Sequence, residues 1–164
     1  MELRHNGTEY EVSPWALSWD DENYYLIAFD SYNKIIKHFR VDKMLNINAN
    51  SKKRESKQEF RSFDMALYAK KVFGMYGGKE EWVKIECENT LVGVMIDRFG
   101  KENINVFKLE PERLSQIKGI QVVTSRQFLA WVIGLGNGAK IIEPKFVVEQ
   151  MHREIDRLIE QYRK

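Results

Sequence analysis

An α+β fold in two parts is what this sequence predicts, and three observations carry it. Short apolar and aromatic runs separated by tight polar turns fill residues 1–44, the pattern of an antiparallel meander or small β-barrel. From residue 81 onward strand and helix patterns alternate as β-α-β-β-α-β-α, and the first six of these form the split βαβ, ferredoxin-like order. Between the two parts lies a stretch with no apolar periodicity, followed by a connector helix. The expected domains are therefore 1–44, a small barrel; 45–80, a linker and connector helix; and 81–164, a ferredoxin-like domain with an extra C-terminal helix.

In the first part, Tyr10-Glu11-Val12 is a short alternating run that Pro14 is expected to stop. Trp15 to Trp19 is a second run, Tyr24 to Phe29 a third and Ile35 to Val41 a fourth. The polar turns Asp20-Asp21-Glu22-Asn23 and Asp30-Ser31-Tyr32-Asn33 join the last three, and the second turn predicts a hairpin. Period two in the fourth run puts Ile35, Lys37, Phe39 and Val41 on one face and Ile36, His38 and Arg40 on the other.

Residues 46–59, NINANSKKRESKQE, are polar and aperiodic and read as a mobile linker. Phe60, Phe63, Leu67 and Val72-Phe73 recur at helical spacing, so one helix is expected over 60–73, ended by Gly74 and Gly77-Gly78. In Trp82 to Glu88, Val83, Ile85 and Cys87 alternate with Lys84, Glu86 and Glu88, a half-buried strand. Thr90 is the expected cap of a helix to Phe99, with Leu91, Val92, Met95, Ile96 and Phe99 as its stripe. Strands are expected at 103–109, 120–124 and 139–142, with a Ser125-capped helix between the last two. Pro144 suits the N-terminus of a final helix whose stripe is Val148, Met151, Ile155, Leu158, Ile159 and Tyr162.

Composition narrows the functional classes. A hydrophobic share of 43% and a charged share of 30% exclude a collagen-like or strongly disordered chain. At 164 residues the core needs no disulfide or metal staple. The single cysteine, Cys87, excludes an internal disulfide and a cysteine-rich zinc site, and fits a cytoplasmic location. No apolar run is long enough to span a membrane, and the polar start Met1 to His5 is not that of a secretory signal. Net charge is +2, yet residues 1–30 carry −6 and residues 31–62 carry +6. A basic stretch of that kind either binds phosphates or is a solvated face.

Motif searches point away from catalysis. There is no phosphate-binding G-x-x-x-x-G-K-[ST], no G-x-G-x-x-G, no H-E-x-x-H and no G-x-S-x-G. Gly134 to Gly138 follows a helix and reads as a C-cap and turn. The histidines, His5, His38 and His152, lie in separate segments, so neither metal nor cofactor is expected, and the chain is not expected to be an enzyme. One constellation remains: Tyr24-Tyr25 with Lys37, His38 and Arg40 on two runs of one hairpin. Aromatics beside Arg and His suit a planar or anionic ligand, because rings stack and a guanidinium forks onto phosphate or carboxylate. Tyrosines in a core and solvated basic groups account for the same spacing equally well.

Those residues also carry a resemblance. Val12-Ser13-Pro14-Trp15-Ala16-Leu17, then Tyr24-Tyr25-Leu26-Ile27-Ala28-Phe29-Asp30, then His38-Phe39-Arg40-Val41-Asp42-Lys43-Met44 resemble the WYL domain of bacterial transcriptional regulators. Tyr24 stands where that family's name-giving triplet has Trp, and Lys37 and Lys43 fill its basic positions. Phe60 to Gly78 is similar to the connector after WYL domains, and the final part, around Phe128-Leu129-Ala130-Trp131-Val132, to their C-terminal extension domain.

The resemblance implies a small Sm/SH3-like barrel followed by a ferredoxin-like extension. It implies the effector-sensing portion of a regulator, with the ligand on a surface built by Tyr25, His38 and Arg40, and with Ser13 and Lys37 near. The implied ligand is short single-stranded nucleic acid or a nucleotide-like molecule. Promoter DNA would be bound only through an N-terminal winged helix-turn-helix that is not in this sequence. The first strand of the barrel is expected to be ending near Leu3 to Tyr10, which would leave an incomplete barrel and an unpaired edge that favours a homodimer. The alternative is a ligand-free dimerisation module built on the extension domain and terminal helix.

Overall fold

Residues Thr8 to Asp20 form a single strand that continues past Pro14, where the sequence predicts a stop. The computed structural model describes all residues except 6, 62, 111, 112 and 164, and all their side chains except those of residues 2, 4, 5, 58 and 59. Its elements are β1 (Glu2–His5), β2 (Thr8–Asp20), β3 (Asn23–Asp30), β4 (Ile35–Arg40), β5 (Met44–Asn48), α1 (Lys57–Arg61) and α2 (Met65–Lys71). They continue as β6 (Lys79–Glu88), α3 (Val92–Phe99), β7 (Asn105–Glu110), β8 (Leu114–Thr124), α4 (Arg126–Gly134), β9 (Ala139–Glu143) and α5 (Lys145–Tyr162). The chain splits into one unit of Met1–Tyr68 with Gly74–Gly77 and another of Ala69–Phe73 with Gly78–Lys164.

The first unit is built on a five-stranded antiparallel sheet in the order β4-β3-β2-β1-β5. Among the described residues β4 and β5 do not pair, so the sheet is open and not the closed small barrel expected. β1 lies inside the sheet between β2 and β5, and the Val12 amide donates to the Met1 carbonyl at 2.8 Å. The edges are β4 and β5 instead. One face buries Leu3, Val12, Leu26, Ala28 and Phe39 as a core.

Pro14 survives in β2 because the strand bulges there. Pairing with β3 shifts between Pro14↔Ala28 and Ala16↔Ile27, which leaves Trp15 as the extra residue. The opposite face consequently carries Trp15 as well as Ala16, and Trp15 stacks on Phe29 at 6.3 Å. Phe60 and Phe63 of the connector pack on Trp15 at 5.9 and 5.0 Å, and Tyr68 packs on Phe63 at 4.9 Å.

Two expectations for the middle of the chain fail. Helix 60–73 is two short helices, α1 and α2, because Asp64 breaks the run. Its Oδ1 accepts from the Leu67 amide at 3.0 Å, a local bond that competes with helix continuation. Residues 46–59 are also not a free linker. Residues up to Asn48 belong to β5, and the rest is tied down. Lys52 pairs with Glu11 at 2.8 Å, the Arg54 guanidinium donates to the Pro14 carbonyl at 3.1 Å, and the Glu55 amide donates to Ser13 Oγ at 2.9 Å.

The second unit keeps the element order expected of it. Its four-stranded antiparallel sheet runs β7-β8-β6-β9. Val83, Ile85 and Cys87 of β6 face a core shared with Met95, Phe99, Ile117, Ile120, Phe128 and Val132. Lys84 and Glu86, in alternate positions, pair with Glu143 and Lys140 at 2.6 and 2.7 Å. β8 bulges at Gly119 (φ +79°), between the pairs Ile85↔Ile117 and Val83↔Ile120, so both isoleucines face the core despite their odd spacing. Thr90 does not cap α3, which has no side-chain cap and starts from a 3-10 turn. Ser125 does cap α4, accepting from the Phe128 amide at 3.3 Å. Leu135 and the Gly136-Gly138 turn end α4, as read from the glycines. On α5, Val147 is buried and Val148 and Met151 pack on the core, while Ile155, Ile159 and Tyr162 are exposed.

Phe128 has no exposed surface and sits among Phe73 and other core side chains, whereas Phe107 on β7 is half exposed. Phe128→Ala is expected to cost this unit about 3–5 kcal/mol. Phe107→Ala is expected to cost well under half of that, and urea denaturation of the two variants checks the ordering.

Candidate ligand-binding surface of the first unit

The five residues singled out from the sequence do not converge on one point. Tyr25 on β3 and Arg40 on β4 are direct cross-strand partners, and His38 follows on the same face opposite Ile27. Lys37 points to the other face, and Ser13 lies on β2 opposite Phe29, at the far end of the sheet from Tyr25.

Each has a local partner. Arg40 forks onto Asp42, with Nε donating to Oδ1 at 3.1 Å and Nη2 to Oδ2 at 2.9 Å. That bond raises the Arg40 pKa and lowers that of Asp42. The pair is solvent-facing, with side-chain exposures of 33% and 56%, so it is geometrically sound but easily exchanged. Burial raises the Tyr25 hydroxyl pKa. Arg40 opposes that shift, and Asp20 and Asp21 add to it. Acid groups thus crowd the Tyr25–Arg40 end. Beyond it, Trp19 and Tyr24 form an exposed edge-to-face pair at 4.6 Å.

His38 is turned under the connector. Its Nε2 lies 2.9 Å from the Tyr68 hydroxyl, and the rings are 5.7 Å apart. Burial pushes its pKa below the ordinary value of 6.5, against a hydrogen bond with the Met75 backbone that raises it. With the folded pKa below the unfolded one, its contribution to stability is complete above the unfolded value and declines as pH falls toward the folded one. Ser13 is buried, and its hydroxyl is engaged by the Glu55 amide.

Lys37 is bound to Asp30 at 2.7 Å and lies over the Tyr10 ring at 4.8 Å. Asp30 is 1% exposed and anchors the β3–β4 turn. Its Oδ1 accepts from the amides of Tyr32 and Asn33 at 2.9 and 3.0 Å, and its Oδ2 from the Asn33 side chain at 2.8 Å. Burial alone would raise this carboxyl, but Lys37 and the turn donors outweigh it and hold the pKa at about 2.

Sequence reading missed a second feature on this unit. A cavity of about 280 Å³ is lined by Trp15, Lys53, Arg54, Glu55, Lys57 and Phe60. The available signal was the run of cations in 31–62, which a solvated face also explains. Among the described residues no group of three or more His, Cys, Asp or Glu could hold a metal, and no helix is long and apolar enough to cross a membrane.

Comparison with known proteins places the first unit. Residues 3–49 match the family model of the WYL domain. The chain is similar in structure to the proteasome accessory factor B/C (PafBC) of Arthrobacter aurescens, with 19% identity and a TM-score of 0.42, covering 99% of this chain and 25% of that one. It is also similar to a CRISPR Cas-related protein, with 14% identity and a TM-score of 0.50, covering 98% of this chain and 46% of that one. The chain therefore spans less than half the length of either. No curated protein matches the sequence.

Asp30 supplies a pH-dependent test. Its folded pKa of about 2 lies below the reference 3.8, so its stabilisation is complete above pH 3.8 and is lost as pH falls through about 2. Asp30→Asn is expected to cost about 2 kcal/mol at pH 7. It is also expected to flatten the acid limb of the stability curve, read from urea midpoints across that range.

Proposed function

We propose that this chain is the effector-sensing portion of a WYL-type transcriptional regulator. In this reading a short single-stranded nucleic acid or nucleotide-like ligand docks on the first unit. Binding then biases promoter binding by a helix-turn-helix domain of the full protein. The match of residues 3–49 to the WYL domain carries this reading. The cross-strand pair Tyr25–Arg40 supports it at the level of residues. A ligand phosphate takes over the Arg40 fork from Asp42, an exchange that costs little because the existing pair is exposed to water. Tyr25 stacks or donates its hydroxyl. Ser13, Lys37 and His38 hold the surface in shape through Glu55, Asp30 and Tyr68. The strand order β7-β8-β6-β9 supports a ferredoxin-like extension, and the strand sequence of the first unit an Sm/SH3-like relative with an open sheet. The chain performs no catalysis and works in the cytoplasm.

Fluorescence anisotropy with a labelled pool of short single-stranded DNA tests this. Binding is expected to weaken with salt, to fall at least tenfold in Arg40→Ala, and to tighten in Asp42→Ala, where the fork is released. Binding indifferent to Arg40→Ala and Tyr25→Ala sinks the assignment.

A ligand-free dimerisation module is the second reading. It rests on the exposed stripe Ile155, Ile159 and Tyr162 along α5. Sedimentation equilibrium is expected to show a dimer that Ile155→Glu dissociates if this stripe is the interface. A wild type that remains monomeric discards it.

A further inference from the structure

We infer that the cavity beneath residues 53–57 is a binding site for one planar aromatic anion of mononucleotide size, held by Lys53 and Lys57 against the rings of Trp15 and Phe60. The inference deepens the sensing reading and rests on it for the class of ligand. The site itself lies away from Tyr25 and Arg40. Phe29, which stacks on Trp15, is four residues along β3 from Tyr25, so the two places are about 13 Å apart.

Four observations converge on the cavity. Its charge is positive. The Glu55 carboxylate is neutralised by Lys34 at 2.7 Å, and Lys53 and Lys57 have no ion-pair partner among the described residues. Its walls are aromatic. Arg54, held by the Pro14 carbonyl, lies over the Phe60 ring at 5.1 Å and leaves a ring-and-cation wall. A donor is also unused: the indole N–H of Trp15 is buried with no hydrogen-bond partner among the described residues. The size sets the ligand. A volume of about 280 Å³ is at the small end of pockets that take small molecules, enough for one nucleotide unit and too little for a longer strand.

The electrostatic contrast with the Tyr25–Arg40 end decides where an isolated anion goes. There Asp20, Asp21 and Asp42 surround a single guanidinium that is already engaged. Here, among the described residues, two lysines are unengaged by any acid, and the arginine beside them is held by a neutral carbonyl. A single mononucleotide therefore settles in the cavity, while a short strand contacts both places.

The test is a calorimetric titration of the full chain with adenosine 5′-monophosphate, adenosine and inorganic phosphate, paired with NMR of the Trp15 indole N–H, assigned through Trp15→Phe. Saturable binding of the monophosphate is expected, weakened by salt and accompanied by a shift of the Trp15 signal. Adenosine and phosphate alone should each bind at least tenfold more weakly. The Lys53→Glu/Lys57→Glu variant changes exposed residues only and should bind the monophosphate at least tenfold more weakly. Lys101→Glu, an exposed control in the second unit, should bind as wild type. Absence of saturable binding, binding that survives Lys53→Glu/Lys57→Glu, or phosphate competing as strongly as the monophosphate overturns the site. A protein that binds single strands through Arg40 but ignores the monophosphate overturns this inference and leaves the sensing reading standing. One that binds the monophosphate through Lys53 and Lys57 but ignores single strands keeps this inference and overturns the placement of the ligand on Tyr25 and Arg40.

Discussion

The bulge in β2 is the constraint on which the first unit depends. A regular strand alternates its faces, and a run that met the core at Val12 would then turn Leu17 and Trp19 the opposite way. The extra residue at Trp15 resets the alternation between Pro14 and Ala16, so Ser13, Trp15, Ala16 and Ser18 all share the face opposite the core. Proline is tolerated at that point because a bulge does not need its missing N–H. The large indole displaced onto that face becomes the platform for Phe29, Phe60 and Phe63. Removing the bulge would remove the reason for the connector to lie there.

Charge is organised by the same geometry. The acidic first 30 residues and the basic stretch after them are not two independent surfaces. Glu11 takes Lys52, Asp30 takes Lys37, and Glu55 within the basic stretch takes Lys34. Much of the basic excess is thus used to fasten residues 50–56 across β2, where Ser13 and the Pro14 carbonyl complete the attachment. Lys53 and Lys57 are two of the cations left without an ion pair among the described residues. They acquire significance only because the attached segment stands them beside two aromatic rings.

The second unit solves the same alternation problem with a glycine. Gly119 sits at a positive φ in β8 and lets Ile117 and Ile120 face one core. The core thus formed is continuous through Phe73, Phe99, Phe128 and Trp131, whose rings meet at 5.3–6.3 Å. Polar groups stay on the far face of β6, where ion pairs with Lys140 and Glu143 contribute little to stability and much to solvation.

The sequence by itself determined the elements whose signals are local. The alternation of Val83, Ile85 and Cys87, the two faces of the strand from Ile35, the Ser125 cap and the glycine stop after α4 were all legible, because a period of two or a capping hydroxyl acts within a few residues. The hairpin that carries Tyr25 and Arg40 was legible for the same reason, since a short polar turn joins its two runs, while their direct pairing came only with the register of the folded sheet. The tertiary structure decided the rest. Pro14 is a stop in local terms and a bulge once β3 is paired beside it. Residues 46–59 look unstructured because their partners, Glu11, Ser13 and Pro14, are some forty residues away in the chain. The division of the five candidate residues among separate partners, and the cavity between Trp15 and the lysines, likewise arise from contacts between distant segments. No window of sequence contains them, because their energy exists only after the sheet has formed.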